Sequence, residues 1–235
     1  MIHCLHGAAG SFHDWDFLQE ALHTPIRAID LWRFFDDRSP SLAEAGKMIA
    51  EQAETGDLIL GYSMGGRLAL HALLATPEKW RAAIIVSAHP GLTENQGARL
   101  ADDRRWAELA LSDWPRFLKE WNAQGILNGT LPGLHHASEE DHALVARSFL
   151  HWSLGAQGNL SPRLKEITCP ILWLTGEHDP KFTRLALDTT PAIPEARHTI
   201  LPGCGHRLPW ESPELFLDAV EKHLASLRIS PRSPS

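Results

Sequence analysis

One stretch of this sequence reads Leu58-Ile59-Leu60-Gly61-Tyr62-Ser63-Met64-Gly65-Gly66-Arg67. Its first residues are apolar, as in a buried parallel strand, and the residues from Arg67 to Leu74 are typical of a helix. Between them stands Gly-x-Ser-x-Gly, a pattern that has mechanical meaning where a strand turns sharply into a helix. We predict that this turn presents the Ser63 hydroxyl at the carboxyl edge of a sheet, above the positive end of the helix. The alternative is a glycine-rich turn with a solvated serine.

Segments typical of buried strands alternate with segments typical of helices along most of the chain. The predicted strands are residues 2–5, 26–30, 57–62, 82–87, 169–175 and 197–201. The predicted helices are residues 14–22, 42–54, 67–74, 181–188 and 213–227. This alternation predicts an α/β fold, with a mainly parallel sheet and helices on both faces.

The alternation is interrupted between residues 92 and 160. Here the pattern predicts amphipathic helices at 95–109, 114–122 and 138–150, and no convincing strand. We therefore predict a core of residues 1–91 and 161–227, into which a helical cap of residues 92–160 is inserted. The Pro- and Ser-rich residues 228–235 are predicted to be a disordered tail.

The composition bounds the kinds of partner and compartment. The 235 residues carry a net charge of −7 with neutral histidines, which argues against nucleic acid or an anionic membrane as partner. No apolar run is long enough to span a bilayer, and no signal-peptide pattern opens the chain. The three cysteines, Cys4, Cys169 and Cys204, indicate a reducing compartment, so a cytoplasmic location is expected. No cofactor is expected. A metal site is not expected either, because no paired Cys-x-x-Cys spacing is present and the adjacent His135 and His136 lack a helical partner.

An acid and a histidine follow Ser63 in the order Ser…Asp…His. Asp179 comes after the predicted strand 169–175, and His206 comes after the next one, in a glycine-rich loop. Because the carboxyl ends of parallel strands share one sheet edge, both loops should converge on Ser63. Asp179 would then orient His206, and His206 would activate the serine. Taken alone, Asp179 could equally cap a helix and His206 could be a surface residue; His178 is a further candidate.

Negative charge that develops beside Ser63 needs two N–H donors. The backbone N–H of Met64 is one candidate. Ala8 is the other, in the small-residue loop that follows His6-Gly7. An ordinary turn is the alternative for that loop.

Together these motifs resemble the α/β-hydrolase superfamily over nearly the whole chain. The residues that carry this resemblance are His6-Gly7, Gly61-Tyr62-Ser63-Met64-Gly65-Gly66, Gly176-x-x-Asp179, and Gly205-His206 with Glu211-x-Pro213-Glu214. Compared with the full sheet of that fold, the alternation begins one or two strands late, so we expect a truncated N-terminal edge.

Within the superfamily, the chain is similar to the 2-succinyl-6-hydroxy-2,4-cyclohexadiene-1-carboxylate synthases, lyases of menaquinone biosynthesis. This similarity rests on Gly61-Tyr62-Ser63-Met64-Gly65-Gly66-Arg67, Ala88-His89-Pro90-Gly91-Leu92, Arg99 with Arg104-Arg105-Trp106, Phe117-Leu118-x-x-Trp121, and Gly176-Glu177-x-Asp179-x-Lys181-Phe182. The loop at residues 30–36 departs from the family's Asp-x-Pro-Gly-His-Gly and reads Asp30-Leu31-Trp32-Arg33-Phe34-Phe35-Asp36.

The resemblance implies proton abstraction and elimination of pyruvate by Ser63, His206 and Asp179, with Ala8 and Met64 holding the enolate-like oxygen. It also implies that the substrate is a small molecule with several carboxylates. The residues that would bind it are Tyr62, Arg67, Arg99, Trp121, Arg147 and Lys181. As alternatives, these arginines and Lys181 could be solvated helix charges, and Tyr62 and Trp121 plain core residues.

Two other functions stay open at this point. A serine hydrolase would use the same residues to cleave an ester, thioester or C–C bond through an acyl-enzyme. A ligand receptor on a hydrolase fold would bind a small molecule without turnover. The sequence leaves the oligomeric state open.

Overall fold

Six parallel strands form one sheet in the part of the chain that the computed structural model describes, residues 1–127, 131 and 133–229. The strands lie in the order β2-β1-β3-β4-β5-β6. Their bounds are β1 Ile2–Leu5, β2 Ile26–Ile29, β3 Leu58–Tyr62, β4 Ala82–Val86, β5 Ile171–Gly176 and β6 Ala196–Leu201. Each predicted strand corresponds to one of these, with ends that differ by no more than two residues.

Nine α-helices accompany the sheet in the described residues. They are α1 Asp16–Ala21, α2 Leu42–Glu51, α3 Met64–Ala75, α4 Gln96–Ser112, α5 Trp114–Asn122, α6 His142–His151, α7 Pro180–Thr189, α8 Leu208–Glu211 and α9 Pro213–Ile229. Two predicted helices begin as tighter 3-10 turns, at Phe12–Trp15 before α1 and at Glu139–Asp141 before α6. Helix α9 takes in the first two residues of the predicted tail, and residues 230–235 lie outside the described part of the chain.

Helices cover both faces of the sheet, as the alternation predicts. Ile59 of β3 belongs to a core shared with α2, α3 and the helices α4 to α6. Its neighbours Leu58 and Leu60 point the other way, into a core shared with α1 and α9. Because side chains alternate along a strand, each face of β3 supplies its own core, and the sheet is buried between them.

Helices α4, α5 and α6 follow β4 and precede β5. Their contacts are largely aromatic: the ring of Trp121 lies 5.3 Å from that of Trp106 and 5.1 Å from that of Phe149. Phe117, which is fully buried, packs among these rings and against Trp114. Such rings bury large areas and pack edge to face, so they join the three helices to one another and to the sheet.

The loop after β2, which departs from the family pattern, forms a 3-10 helix, Leu31–Phe35. Its aromatic side chains fill the space beside the loop that follows β1. Trp32 packs on His6 at 4.8 Å, and Phe35 packs on Trp152 at 4.5 Å. The Leu31 N–H donates to His6 Nε2 at 3.1 Å, so the neutral ring donates from Nδ1 to the Gly7 carbonyl at 2.9 Å. Burial lowers the pKa of His6 to about 4, which keeps the ring in this neutral bridging form. The loop therefore supports the backbone around Ala8.

In the described residues, no helix combines the length and the apolar character needed to cross a bilayer.

Candidate active site

The Ser63 turn has the strained geometry that the sequence predicts. Ser63 has φ 52° and ψ −108°, in the left-handed half of backbone space, and stands between β3 and α3. A Cβ on Gly61 would overlap the Gly65 carbonyl, and a Cβ on Gly65 would overlap the Leu5 carbonyl. Strand and helix can approach this closely only because both positions are glycine, and the approach lifts Ser63 to the carboxyl edge of the sheet.

Loops after β5 and β6 bring Asp179 and His206 to Ser63. His206 Nδ1 lies 2.7 Å from Asp179 Oδ2, and His206 Nε2 lies 3.2 Å from Ser63 Oγ. With Nδ1–H donating to the carboxylate, Nε2 is free to accept the serine proton. His206 and Asp179 are 3% and 2% exposed, so water competes little for these hydrogen bonds. We call these three residues the Ser-His-Asp array; His178, the other candidate, is exposed.

Asp179 has a second task in the same loop. Its Oδ1 accepts the Phe182 N–H at 3.2 Å and so caps the first turn of α7. The two oxygens of one carboxylate thus orient His206 and start the helix that carries Lys181.

Ala8 and Met64 line the same cavity as Ser63. Met64 is the first residue of α3, and the Ser63 side chain does not cap that helix, so its first N–H groups keep their partial positive charge. In the residues that the structure describes, neither the Ala8 N–H nor the Met64 N–H has a backbone acceptor. The pair can therefore receive an oxygen that gains negative charge beside Ser63.

The cavity beside the array has a volume of about 180 Å³. Three cationic side chains from three different helices line it, and we call them the cation wall: Arg67 of α3, Arg99 of α4 and Lys181 of α7. The remaining lining includes Trp121, Phe149, Trp152 and Phe182. A pocket lined by a serine hydroxyl, three cations and several aromatic rings suits a small anion with an unsaturated or cyclic body.

Arg67 is a buried member of the cation wall, with 8% of its surface exposed. Its guanidinium donates to Gln157 Oε1 at 3.1 Å and to the Trp152 carbonyl at 2.6 Å. Burial and then the charge of Arg99 lower the pKa of Arg67 to about 9, so it remains cationic at neutral pH. Arg67 therefore joins α3 to the segment after α6 as well as lending its charge to the cavity.

Arg99 is held by a buried carboxylate. Its Nε donates to Asp103 Oδ2 at 2.9 Å, and the same oxygen accepts the Ser153 hydroxyl at 2.6 Å. Asp103 is only 1% exposed. Because Nε is the nitrogen that is anchored, the two terminal nitrogens of Arg99 stay available, and these are the pair that can grip a carboxylate.

A comparison with protein-family models matches residues 4–219 to the model described as "Alpha/beta hydrolase family". The chain belongs to the α/β-hydrolase family. Curated relatives named 2-succinyl-6-hydroxy-2,4-cyclohexadiene-1-carboxylate synthase are similar to this α/β-hydrolase over most of its length. The relative from Serratia proteamaculans is 28% identical, over 94% of this chain and 92% of its own. The one from Pectobacterium atrosepticum is 30% identical, over 78% of this chain and 79% of its own.

Solved structures support the same fold. The structure titled "Structure of MenH from S. aureus" superposes with a TM-score of 0.83 at 23% identity, over 97% of this chain and 94% of that one. A thermophilic esterase from Thermogutta terrifontis gives a TM-score of 0.76 at 17% identity, over 96% and 89%. At these identities the likenesses establish the α/β-hydrolase fold alone.

The α/β-hydrolase fold brings most of the predicted site residues to the cavity, but not all. Ser63, His206, Ala8, Met64, Arg67, Arg99, Trp121 and Lys181 line it. Tyr62 does not: it is 5% exposed and packs under His206 and Trp210, bordering only a smaller chamber of about 30 Å³ behind Ser63.

Arg147, which the resemblance implies as a substrate-binding residue, does not line the cavity, and its side chain is held elsewhere. The guanidinium of Arg147 donates to the Phe35 and Arg38 carbonyls and to the Ser39 hydroxyl. The phase of α6 turns this arginine towards the segment that follows the 3-10 helix Leu31–Phe35. Its contacts are those of a residue that holds two segments together.

Sequence reasoning gave no role to His89, Asp103 or Ser153, all of which line the cavity. His89 had a usable signal, because it comes three residues after β4 and so lies at the same sheet edge as the array. Asp103 also had one, because it stands four residues after Arg99, the spacing of an ion pair on a helix. For Ser153 no local signal exists, since its contact with Asp103 spans 50 residues of sequence.

Among the described residues, no group of three or more His, Cys, Asp or Glu side chains is placed to hold a metal ion.

Proposed function

We propose that this chain is a lyase that eliminates pyruvate from a polycarboxylate cyclohexene intermediate of menaquinone biosynthesis. One observation carries the proposal: a single cavity is lined by Ser63 and His206 of the Ser-His-Asp array and by three cationic side chains. The curated relatives support this choice, because their name describes a succinyl- and hydroxyl-bearing cyclohexadiene carboxylate, the kind of product that such an elimination leaves.

In the proposed reaction, Ser63 acts as the base that reaches the substrate. His206 Nε2 accepts the serine proton, and Asp179 stabilises the imidazolium that results. The serine oxygen takes a proton from a carbon next to a substrate carbonyl, and the Ala8 and Met64 N–H groups stabilise the enolate oxygen. The electrons of the broken C–H bond then move through the ring and break the C–O bond to the pyruvate unit. Pyruvate leaves as its enolate and takes up a proton.

The cation wall supplies the binding part of the proposal. A substrate with several carboxylates is costly to bring into a buried cavity unless fixed cations replace its water. Arg99 offers two nitrogens in a plane, and Lys181 offers a point charge. Although the protein as a whole carries a net charge of −7, these cations would attract the anionic substrate to the cavity.

The test is release of pyruvate from the cyclohexene substrate, followed by coupled oxidation of NADH. We expect the wild type to release pyruvate and Ser63→Ala to lose about 10³-fold or more of the turnover. Ser112→Ala, at the exposed end of α4, is the matched control and should retain wild-type turnover. Wild-type protein that binds the substrate but releases no pyruvate would contradict the proposal.

A serine hydrolase is the second candidate, favoured by the 3.2 Å distance between Ser63 Oγ and His206 Nε2. That geometry suits attack on a carbonyl as well as proton abstraction. Short p-nitrophenyl esters separate the two functions. A hydrolase should give a burst of p-nitrophenol and rapid fluorophosphonate labelling of Ser63, whereas the lyase should show weak esterase activity and release pyruvate.

A further inference from the structure

His89 lies where the members of the cation wall come together. It lines the cavity on the loop after β4, and it is 8% exposed. Burial, and then the charges of Lys181, Arg67 and Arg99, lower the pKa of its ring to about 4. The ring is therefore neutral at the pH at which most enzymes work.

The backbone fixes which nitrogen of His89 carries the hydrogen. His89 Nδ1 accepts the Gly91 N–H at 3.0 Å, so it cannot carry a hydrogen itself. A neutral imidazole has one N–H, which must then be on Nε2. In the described part of the chain, Nε2 has no hydrogen-bond partner, and it is absent from the buried polar atoms that lack one, so it is open to the cavity.

Contacts with neighbouring residues hold His89, and with it the Nε2–H donor, in position. Its carbonyl accepts the Gln157 side-chain amide at 3.4 Å, and the same Gln157 accepts from Arg67. The ring of Phe182 lies edge-on to the ring of His89, with 6.5 Å between the two ring centroids. The nearby charged groups come from three helices: Arg67 from α3, Arg99 with Asp103 from α4, and Lys181 from α7. The ring is held between elements that all contribute to the cavity.

We propose that His89 is a substrate-binding residue whose Nε2–H donates to a carboxylate oxygen of the substrate held by the cation wall. The donor adds direction where the cations add charge: an imidazole N–H donates to an oxygen that lies in the ring plane. Because Nδ1 is occupied by Gly91, His89 cannot act as a base towards the cavity. The inference rests on the proposed function only in that an anionic substrate enters this cavity.

The test uses succinate as the probe, with binding measured by isothermal titration calorimetry on the full chain. Leucine has about the size of histidine without a donor, whereas glutamine can place an amide N–H near the position of Nε2. We expect His89→Leu to bind succinate about 10- to 100-fold more weakly than wild type, because a hydrogen bond to a charged group is lost. The affinity of His89→Gln for succinate should stay within about threefold of the wild-type affinity.

The exposed His23 supplies the matched control, since His23→Leu should bind succinate as wild type does. A second measurement is made on the wild type and needs the glutamine variant only to assign the His89 signals. Long-range ¹H–¹⁵N spectra of the wild type, with the His89 signals assigned by their loss in His89→Gln, should show the Nε2–H form. Adding succinate should shift the Nε2 resonance.

A His89 ring in the Nδ1–H form, or an Nε2 signal that succinate leaves unmoved, overturns the proposal. Equal binding by the leucine, glutamine and wild-type proteins overturns it as well. These outcomes are separate from the proposed function: succinate bound through His89 without any release of pyruvate would reject the lyase and keep the binding role of His89.

Discussion

The two sides of the cavity are built in different ways. In the Ser-His-Asp array, loops at the ends of β3, β5 and β6 place each polar side chain against the next, at 2.7 and 3.2 Å. The cation wall comes from helices instead, and in the described residues Lys181 Nζ and the terminal nitrogens of Arg99 have no acceptor. The array is thus organised before any ligand arrives, while the wall holds charge that a ligand would balance. Loss of the array should therefore reduce turnover, and loss of the wall should weaken binding.

The largest effect that separates the two sides is expected from Asp179→Asn. An amide would present the wrong group to His206 Nδ1 and favour the wrong ring tautomer, which in serine proteases costs about 10⁴-fold in kcat. We expect a loss of about 10³- to 10⁴-fold in pyruvate release, with succinate affinity unchanged. Asparagine is also a good helix cap, so α7 should keep its start.

Asp188→Asn is the matched control, because Asp188 lies on the same helix and its ion pair with Arg184 is exposed. If Asp179→Asn lowered succinate affinity as strongly as it lowered turnover, the division between the two sides of the cavity would be mistaken.

The next largest effect is expected from Arg99→Gln, which changes the cation wall and leaves the Ser-His-Asp array intact. Removing a charge-assisted contact to a substrate carboxylate should raise KM about 10- to 100-fold, while kcat stays within a few fold. Arg105→Gln is the control, since Arg105 lies on the same helix with 71% of its side chain exposed. Steady-state kinetics of pyruvate release give both constants, and a fall in kcat at constant KM would speak against a binding role.

Arg147→Ala should separate a structural arginine from the binding ones. Its hydrogen bonds to the Phe35 and Arg38 carbonyls and to Ser39 would be lost. We expect the free energy of unfolding in urea to fall by about 1–2 kcal/mol, with KM unchanged. A raised KM at unchanged stability would return Arg147 to the substrate site.

The last prediction concerns a histidine outside the site. Burial, and then the charges of Arg67 and Arg163, lower the pKa of His71 to about 4, and its Nε2 has no partner in the described residues. In the unfolded chain the pKa is about 6.5, so the unfolded state takes up a proton as the pH falls below 6.5 while the folded state does not until about pH 4. His71 therefore favours folding above pH 6.5 and loses that contribution between pH 6.5 and 4.

The free energy of unfolding should fall between pH 7.5 and pH 5 in both proteins. We expect this fall to be about 1–2 kcal/mol smaller in His71→Leu than in wild type. Urea melts at the two pH values measure this drop. An identical drop in wild type and variant would mean that His71 is protonated in the folded protein.

The sequence predicted the positions of Ser63, Asp179 and His206 well because parallel topology constrains them. Each follows a buried strand, and the carboxyl ends of such strands meet at one edge whatever the lengths of the intervening helices. The six strands were predictable for the same reason: short apolar runs between turn residues leave little room for error.

Residues on helices were harder to place, because their direction depends on helical phase. Arg147 lies on α6, which starts after the 3-10 turn Glu139–Asp141, and a small shift in that start turns the side chain away from the cavity. Tyr62 could have been placed by strand parity: it shares the face of Leu58 and Leu60, and that face packs against α1 and α9. The Asp103–Ser153 contact had no such local rule.

The double use of Asp179 has a consequence for how this protein could change during evolution. One oxygen of that carboxylate orients the His206 ring, and the other caps the start of α7, the helix that carries Lys181. An insertion or deletion between Gly176 and Phe182 would disturb chemistry and recognition in a single event. New preferences are therefore expected to arise through side-chain replacements along α7 and α4, with the length of this connection kept constant.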